Sequence, residues 1–338
     1  MLRIVPLTDE RAAHAIDRTV AELDAPDIPF DTLEGYRARL RYPWPSQELE
    51  QYLAVRDGAP VGHLELGLPQ LDNRDNVNML LCVLPAERRA GAGRAMLTFA
   101  IERARALGRR HLIGASAGGP ASSPSGPSGG GGPAGPGGPV SDGAAFAAAV
   151  GAVPGLVELR SRLDVTAAAP ADVPPPPGYR IVRWTGTPPG EYLDDVGYLD
   201  SRLNLDAPVG DLAWEPTRVD AARVRATEEM LRARGCVTFH TGAVDEAGGR
   251  LVAWTVISGR AGHARHAWQG ITMVDPAHRG RRLGLTIKIQ NLAYARAGRP
   301  GLREIDTFNA AQNDHMLRIN REVGFRPVDR WIQWQLTD

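Results

Sequence analysis

The chain has 338 residues, long enough for two domains at roughly 150 residues each. Hydrophobic residues make up 43% of it, enough for packed cores, yet no apolar run approaches the ~20 residues of a membrane span. With 39 Lys+Arg against 39 Asp+Glu, the zero net charge excludes a general electrostatic grip on nucleic acid or an anionic membrane, leaving only local basic sites.

In chain order, a first strand lies around Arg3-Ile4-Val5, and further strands are predicted near 51–56, 61–68 and 77–84. A helix follows at 92–107, then a strand at 110–115, a helix at 142–150 and a strand at 156–164. The second half begins with a strand near 179–184 and helices within 189–234. Strands are predicted at 237–244, 251–258 and 267–274. A helix over 282–297 carries apolar Leu283, Ile287 and Tyr294 at helical spacing. A strand at 303–308, a helix at 313–323 and a strand at 328–336 complete it. The fold class is mixed α/β, with helices packed on central sheets.

The halves repeat one another. Arg3-Ile4-Val5 returns as Arg180-Ile181-Val182, and Leu23-Asp24-Ala25-Pro26 as Leu205-Asp206-Ala207-Pro208. Val83, Pro85 and Arg88 return as Val274, Pro276 and Arg279. Three matches in one order imply two copies of a domain rather than a solenoid of short repeats. The division falls at residues 1–165 and 178–338, joined by a Pro-rich, extended spacer at 166–177. A Gly/Pro-rich stretch at 117–140 cannot bury a core and reads as a disordered insertion in the first copy. Of the basic residues a single one, Lys288, is lysine; codon bias accounts for that. Cys82 and Cys236 lie in apolar segments of different halves, which excludes a disulfide framework. The opening MLRIVPLTDE lacks the layout of a secretory signal, so a reducing cytoplasm is the expected location.

In both copies an apolar strand ends in Val-x-Pro, passes through a basic turn and opens a helix. The first turn runs Cys82, Val83, Arg88, Arg89, Ala90, Gly91, Ala92, Gly93, Arg94. The second runs Met273, Val274, Arg279, Gly280, Arg281, Arg282, Leu283, Gly284, Leu285. Backbone N–H groups at a helix start capture anions, glycines admit a diphosphate closely, and arginines pair with its oxygens.

The Arg-x-x-Gly-x-Gly pattern after a strand resembles the coenzyme A pyrophosphate signature of the GNAT superfamily of acyl-CoA-dependent N-acetyltransferases. The first copy fits at Arg88, Gly91 and Gly93; the second keeps Arg279 and Gly284 but has Arg282 where the middle glycine belongs, which should tighten the turn. The tandem arrangement is similar to that of mycothiol synthase. The resemblance implies two GNAT domains, acetyl-CoA as donor, and an Asn near the donor at the next helix start. Asn309 and Asn313 take that place, and Gly324-Phe325 ends the helix. The family's thiolate-protonating Tyr falls at Asn320, an amide that cannot act as a general acid. In the first copy the corresponding residues are Val140 and Ala147.

The expected activity is transfer of an acetyl group from acetyl-CoA to a primary amine of a small molecule, with catalysis in the second copy and the first a structural partner that can hold coenzyme A. The resemblance implies an oxyanion site at the backbone N–H groups near Met273 and Val274. Catalytic candidates are His240 and His266, either of which could take the amine proton, and Asn320. Asp206, Asp211 and Glu215 could form an acidic rim for a cationic acceptor. Trp331, Trp334 and Tyr294 read as packing, and no metal site is expected from His263, His266 and His278. Nucleic acid and membrane are not expected partners; a monomer or homodimer is. Two other readings remain, a non-catalytic coenzyme A-binding protein and an acyltransferase with a carrier- or tRNA-bound donor.

Overall fold

A computed structural model of the chain describes residues 1–121, 141–167 and 173–338. Most of the Gly/Pro-rich stretch, Val140 and part of the spacer fall outside the described residues. The first half comprises β1 (Leu2–Pro6), α1 (Glu10–Asp24), α2 (Leu33–Arg41), β2 (Gln47–Arg56), β3 (Ala59–Pro69), β4 (Asn76–Val83), α3 (Ala92–Ala106), β5 (His111–Pro120), α4 (Asp142–Ala149) and β6 (Val153–Asp164). The second comprises β7 (Tyr179–Thr185), α5 (Leu193–Ser201), α6 (Leu203–Asp206), α7 (Ala221–Ala233), β8 (Cys236–Asp245), β9 (Leu251–Arg260), β10 (His266–Val274), α8 (Leu283–Gly298), β11 (Glu304–Ala310), α9 (Asp314–Val323) and β12 (Arg326–Thr337). No helix among the described residues is long and apolar enough to cross a membrane.

Local chemistry sets the helix starts. Asp9, Thr32, Ser141, Asp220 and Asn313 cap α1, α2, α4, α7 and α9 by accepting backbone N–H groups. The two helices that follow the basic turns, α3 and α8, have no side-chain cap.

The sequence reading gives each copy its own sheet, whereas the strands form one 12-stranded sheet in the order β1-β2-β3-β4-β5-β12-β6-β11-β10-β9-β8-β7. The copies exchange their last strands: β12 pairs with β5 of the first half, and β6 with β11 of the second. The two exchanged strands also pair with each other, so the ladder is continuous and no edge is left open in the middle. Only β4–β5 and β10–β11 are parallel. Each of these pairs runs for three residues at its start (Asn76–Asn78 with His111–Ile113, and His266–Trp268 with Glu304–Asp306) and then diverges.

Helices cover both faces. In the first half α3 buries Met96, Leu97 and Ala100 against Leu64, Leu66 and Leu112 on one face, while Ile16 and Tyr36 of α1 and α2 pack over Leu53 and Cys82 on the other. In the second, α8 covers Phe239, Ile257 and Ile305, and α5 and α7 cover Trp184, Val244 and Trp254. Loops dock reciprocally across the seam. Residues 25–32 of the first half reach the second, where Asp31 meets Arg260 and His263, while Asp27 pairs with Arg160 and Arg162 on the exchanged β6. Residues 209–219 of the second reach the first, where Asn76 donates to the Ala213 carbonyl, while the Ala213 N–H donates to Gln335 on the exchanged β12. Asp211 and Glu215 lie on that docking loop, Glu215 donating its N–H to Asn73. They therefore form no acidic rim around the second half's own site.

Candidate functional site

The two basic turns have one backbone design. A 3-10 turn, Pro85–Glu87 or Pro276–His278, leads into two residues of left-handed conformation. In the first copy these are Arg89 (φ 60) and Gly91 (φ 86); in the second they are Gly280 (φ 80) and Arg282 (φ 60). Each copy thus has glycine at one left-handed position and arginine at the other, and Arg282 adopts the dihedral that glycine takes freely, at a cost of roughly 1 kcal/mol. Within the helices the first backbone bonds are Ala95 to Gly91 and Thr286 to Arg282. The N–H groups of Ala92, Gly93 and Arg94, and of Leu283, Gly284 and Leu285, thus precede the helical ladder and face outward with the helix dipole behind them.

The signature arginines are braced alike. Nε of Arg88 donates to the Val83 carbonyl at 3.3 Å, and Nε of Arg279 to the Val274 carbonyl at 3.1 Å. Their outer nitrogens differ: Arg88 pairs with Asp142 on α4 at 2.5 Å, and Arg279 with Asp206 at 2.6 Å. The repeated Leu-Asp-Ala-Pro therefore brings its aspartate to the turn in both halves. Hydrogen bonds from Arg202 and Arg279, against partial burial, hold the Asp206 carboxyl below its usual range. Asp206 is an internal ion-pair partner, not a rim for an incoming cation. Burial pushes the Asp24 carboxyl up, against the pull of Arg88.

In the first half the turn opens on a cavity of about 360 Å³ lined by Asp24, Leu81, Val83, Arg88, Arg89, Gly91, Gly93, Arg94 and Phe146. Arginines, exposed amides and an apolar wall fit a diphosphate with an apolar arm. The Ala90 carbonyl is turned away to Arg56. The Cys82 side chain packs under α1, where burial pushes its thiol up, so that residue offers the cavity only backbone. Equivalent glycines close the two sites: a Cβ on Gly93 would meet Phe146 at 3.4 Å, and one on Gly284 would meet Ile319 at 3.6 Å. In the second half Arg281 donates to the Ala277 carbonyl and Arg282 to Glu322 of α9. Met273 packs toward α5 and Val274 toward α8. Beyond Trp268, β10 is unpaired on its β11 side and bulges between Gln269 and Thr272. Its backbone groups there face the gap between the diverging strands.

The three catalytic candidates lie in three places. His240 is buried under α5 and α7, stacked on Trp184 with ring centroids 5.2 Å apart, accepting from Trp254 Nε1 and 3.3 Å from Glu228. His266 sits at the seam, 3.2 Å from Asp306, whose other partners are Arg160 and Arg162. Burial pushes the Asp306 carboxyl up, but hydrogen bonds from Arg162 and His266 more than offset this and hold it well below the carboxylate range. Asn320 lies on the opposite face of the sheet. It donates to Asn309 Oδ1 at 2.7 Å, and its own Oδ1 is buried without a partner. Asn309 and Asn320 thus meet, while Asn313 is spent capping α9 on Met316. Trp331 bonds Asp329 and Trp334 bonds Ser116, both within the exchanged strand's packing.

Sequence reasoning missed Arg160, Phe146 and Lys288. Arg160 is fully buried and ties Asp27, Asp306 and Asp329, partners scattered along the chain. Lys288 could have been singled out, because it stands in the apolar stripe of a predicted helix.

The fold and its paired sites agree with the comparisons. A family model described as Acetyltransferase (GNAT) family matches residues 18–118. A tandem GNAT protein from the clavulanic acid biosynthesis pathway, solved without AcCoA, is 31% identical. The match covers 100% of this chain and 98% of that one, with a TM-score of 0.80. A GCN5-related N-acetyltransferase from Sphaerobacter thermophilus is 16% identical, covering 99% and 95%, with a TM-score of 0.67, a likeness of fold. No curated protein matches. The chain belongs to the GNAT acetyltransferase family, and it is a tandem member in which both copies are kept.

Proposed function

We propose that the protein transfers an acetyl group from acetyl-CoA to a primary amine of a small molecule, with the transfer centre in the second half and coenzyme A also held by the first. The observation that carries the acyl-donor reading is the duplicated turn, with its uncapped helix start and its arginine braced on the preceding strand. When bound, the donor supplies the thioester. The residues that would hold it are Arg88, Arg89, Gly91, Gly93 and Arg94 in the first half, and Arg279, Arg281, Gly284 and Leu285 in the second. Backbone N–H groups of β10 near Met273 and Val274 are suited to stabilise an oxyanion, because β10 has diverged from β11 there and leaves that edge unpaired. Placing chemistry in the second half rests on its polar residues: Asn309 and Asn320 bond each other, and Thr255 and Thr272 form a second bonded pair on β9 and β10.

One observation favours transfer in the first half instead. A second cavity of about 280 Å³ lies at the seam, lined by Trp44, Asp72 and Asn78 from one half and Asp200, Asn204 and Trp214 from the other. Asn78 faces it from the same strand, β4, whose Leu81 and Val83 line the first cavity. Burial lifts Asp200 to about 6, so an acidic side chain faces this pocket.

The test is thiol release from acetyl-CoA across an amine panel with Gly93→Trp and Gly284→Trp, each checked by its melting curve. Folded Gly284→Trp losing release while Gly93→Trp retains it is the expected result. The reverse moves the centre to the first half. Donor binding without release for any acceptor overturns the enzyme reading.

A further inference from the structure

The chain's one lysine is buried where the fold has most freedom to avoid it. Lys288 lies on α8, 2% exposed, among residues such as Ile287 and Leu292. Among the described residues its Nζ has one hydrogen-bond acceptor, Thr272 Oγ1 on β10 at 3.4 Å, and it stands 5.6 Å from the centre of the Phe325 ring that follows α9. Thr272 is on the stretch of β10 that has left β11, so the amine bonds the strand that borders the divergence. Thr272 bonds Thr255 at 2.8 Å, and Gln269 donates to Thr255 at 3.0 Å, which makes a short polar chain ending at the lysine.

The first half shows what the other copy holds in the corresponding space. Aligning Val83 with Val274, and their partners Gly62 and Ala253, sets Leu64 against Thr255 and Leu81 against Thr272. Aligning the helix starts sets Leu97 against Lys288, and aligning Gly151 with Gly324 sets Ala147 against Asn320. Four apolar residues on one side face four polar ones on the other. The leucines prove that the fold packs without them.

We propose that Lys288 is the proton-transfer group of the second half's acyl-transfer centre. This rests on the functional reading above. As the acceptor nitrogen bonds the acyl carbon and the carbon–sulfur bond breaks, the proton leaving nitrogen passes to neutral Nζ. The resulting ammonium returns it to the departing thiolate, so an amide and a thiol form and Lys288 ends neutral. Burial alone lowers the lysine to about 7, which makes the neutral amine available near neutral pH. No charged neighbour adds to that shift. On α9 the side chains of Asp314, His315, Arg318, Arg321 and Glu322 are exposed. His240 on β8 and His266 on β10 face the other side of the sheet, since their neighbours Thr241 and Ala267 are the ones that meet α8. Arg183 on β7 is exposed and turned to Gln290. Asn320, an amide, cannot exchange the proton.

A single lysine makes the test direct, because protein labelled with ¹⁵N-lysine gives one side-chain ammonium or amine resonance. That resonance should titrate near 7 and move when coenzyme A is added. Lys288→Met should lower kcat at least 100-fold and abolish the rate's rise through neutral pH, with KM for acetyl-CoA changed less than threefold and melting temperature equal or higher. Lys288→Arg, always charged, should also be inactive. An ordinary lysine titration, a resonance indifferent to coenzyme A, or a Lys288→Met enzyme that keeps its rate and pH profile overturns the proposal while leaving acyl transfer intact. A wild type that releases no thiol from any amine overturns the functional reading itself.

Discussion

The two halves share a backbone design down to the dihedrals of one turn, yet they fill it with opposite materials. Between α3, α4 and the sheet the first half places Leu64, Leu81 and Leu97, and it keeps a wide cavity at its anion turn. Between α8, α9 and the sheet the second places Thr255, Thr272, Lys288 and Asn320, and its turn has Arg282 at a glycine position. The loops that cross the seam differ in kind too. The first half sends Asp31 into Arg260, while the second sends a backbone segment onto the amides of Asn73 and Asn76. A fold therefore sets where a helix start and a strand gap occur, while a handful of side chains decides whether that region is apolar or polar.

Breaking the charged side of the seam should have the largest effect. Arg160→Ala strips a fully buried guanidinium from Asp27, Asp306 and Asp329 and leaves Asp306 buried beside it. The expected loss is about 4 kcal/mol, read by chemical denaturation. Asp306, held low in the fold, contributes stability that is present above the ordinary carboxylate pKa and lost as pH falls through its folded value. Because Arg160 pairs with Asp27, Asp306 and Asp329 as carboxylates, the variant's deficit should be full at pH 7 and shrink in acid as they protonate.

Exchanging the materials gives a second, intermediate effect. Leu97→Lys places an amine among Leu64 and Leu66 without the threonine chain and should destabilise by about 3 kcal/mol. Lys288→Leu should do the opposite. A lysine whose folded pKa is lowered to about 7 penalises the fold fully below that pH, and the penalty is relieved as pH rises toward the ordinary value of 10.5. Melting curves of Lys288→Leu should hence exceed wild type at pH 6 and converge with it near pH 10. A Leu variant less stable than wild type at pH 6 would count against a functional reason for the lysine.

Smallest is the turn. Arg282→Gly removes a left-handed arginine at φ 60 and should stabilise by roughly 0.5 kcal/mol while raising donor affinity in calorimetry, making the second turn more like the first.

Much of this was legible in the chain itself. Periodicity and the Val-x-Pro-basic-Gly pattern located both strand–turn–helix units, and the Leu-Asp-Ala-Pro repeat flagged a residue that proves to sit at each turn. What the sequence hid was everything set by distant pairing. The strand exchange leaves no local mark, because a strand's own residue pattern does not specify which neighbour it pairs with. Asp206 reads as an acidic rim group because its contact with the turn arginine Arg279, far along the chain, is set by the fold, although its other partner Arg202 is only four residues away. Lys288 was visible but was taken for codon usage, since composition treats a buried position and an exposed one alike.

The exchanged strands carry a further meaning. Each half completes the other's sheet, so the molecule is arranged as a two-fold pair within one polypeptide, joined through paired strands. Two separate identical subunits must accept every substitution twice. A fused pair need not, and it can keep one copy as a scaffold with leucines where the other carries a lysine, without ever losing its partner to dilution.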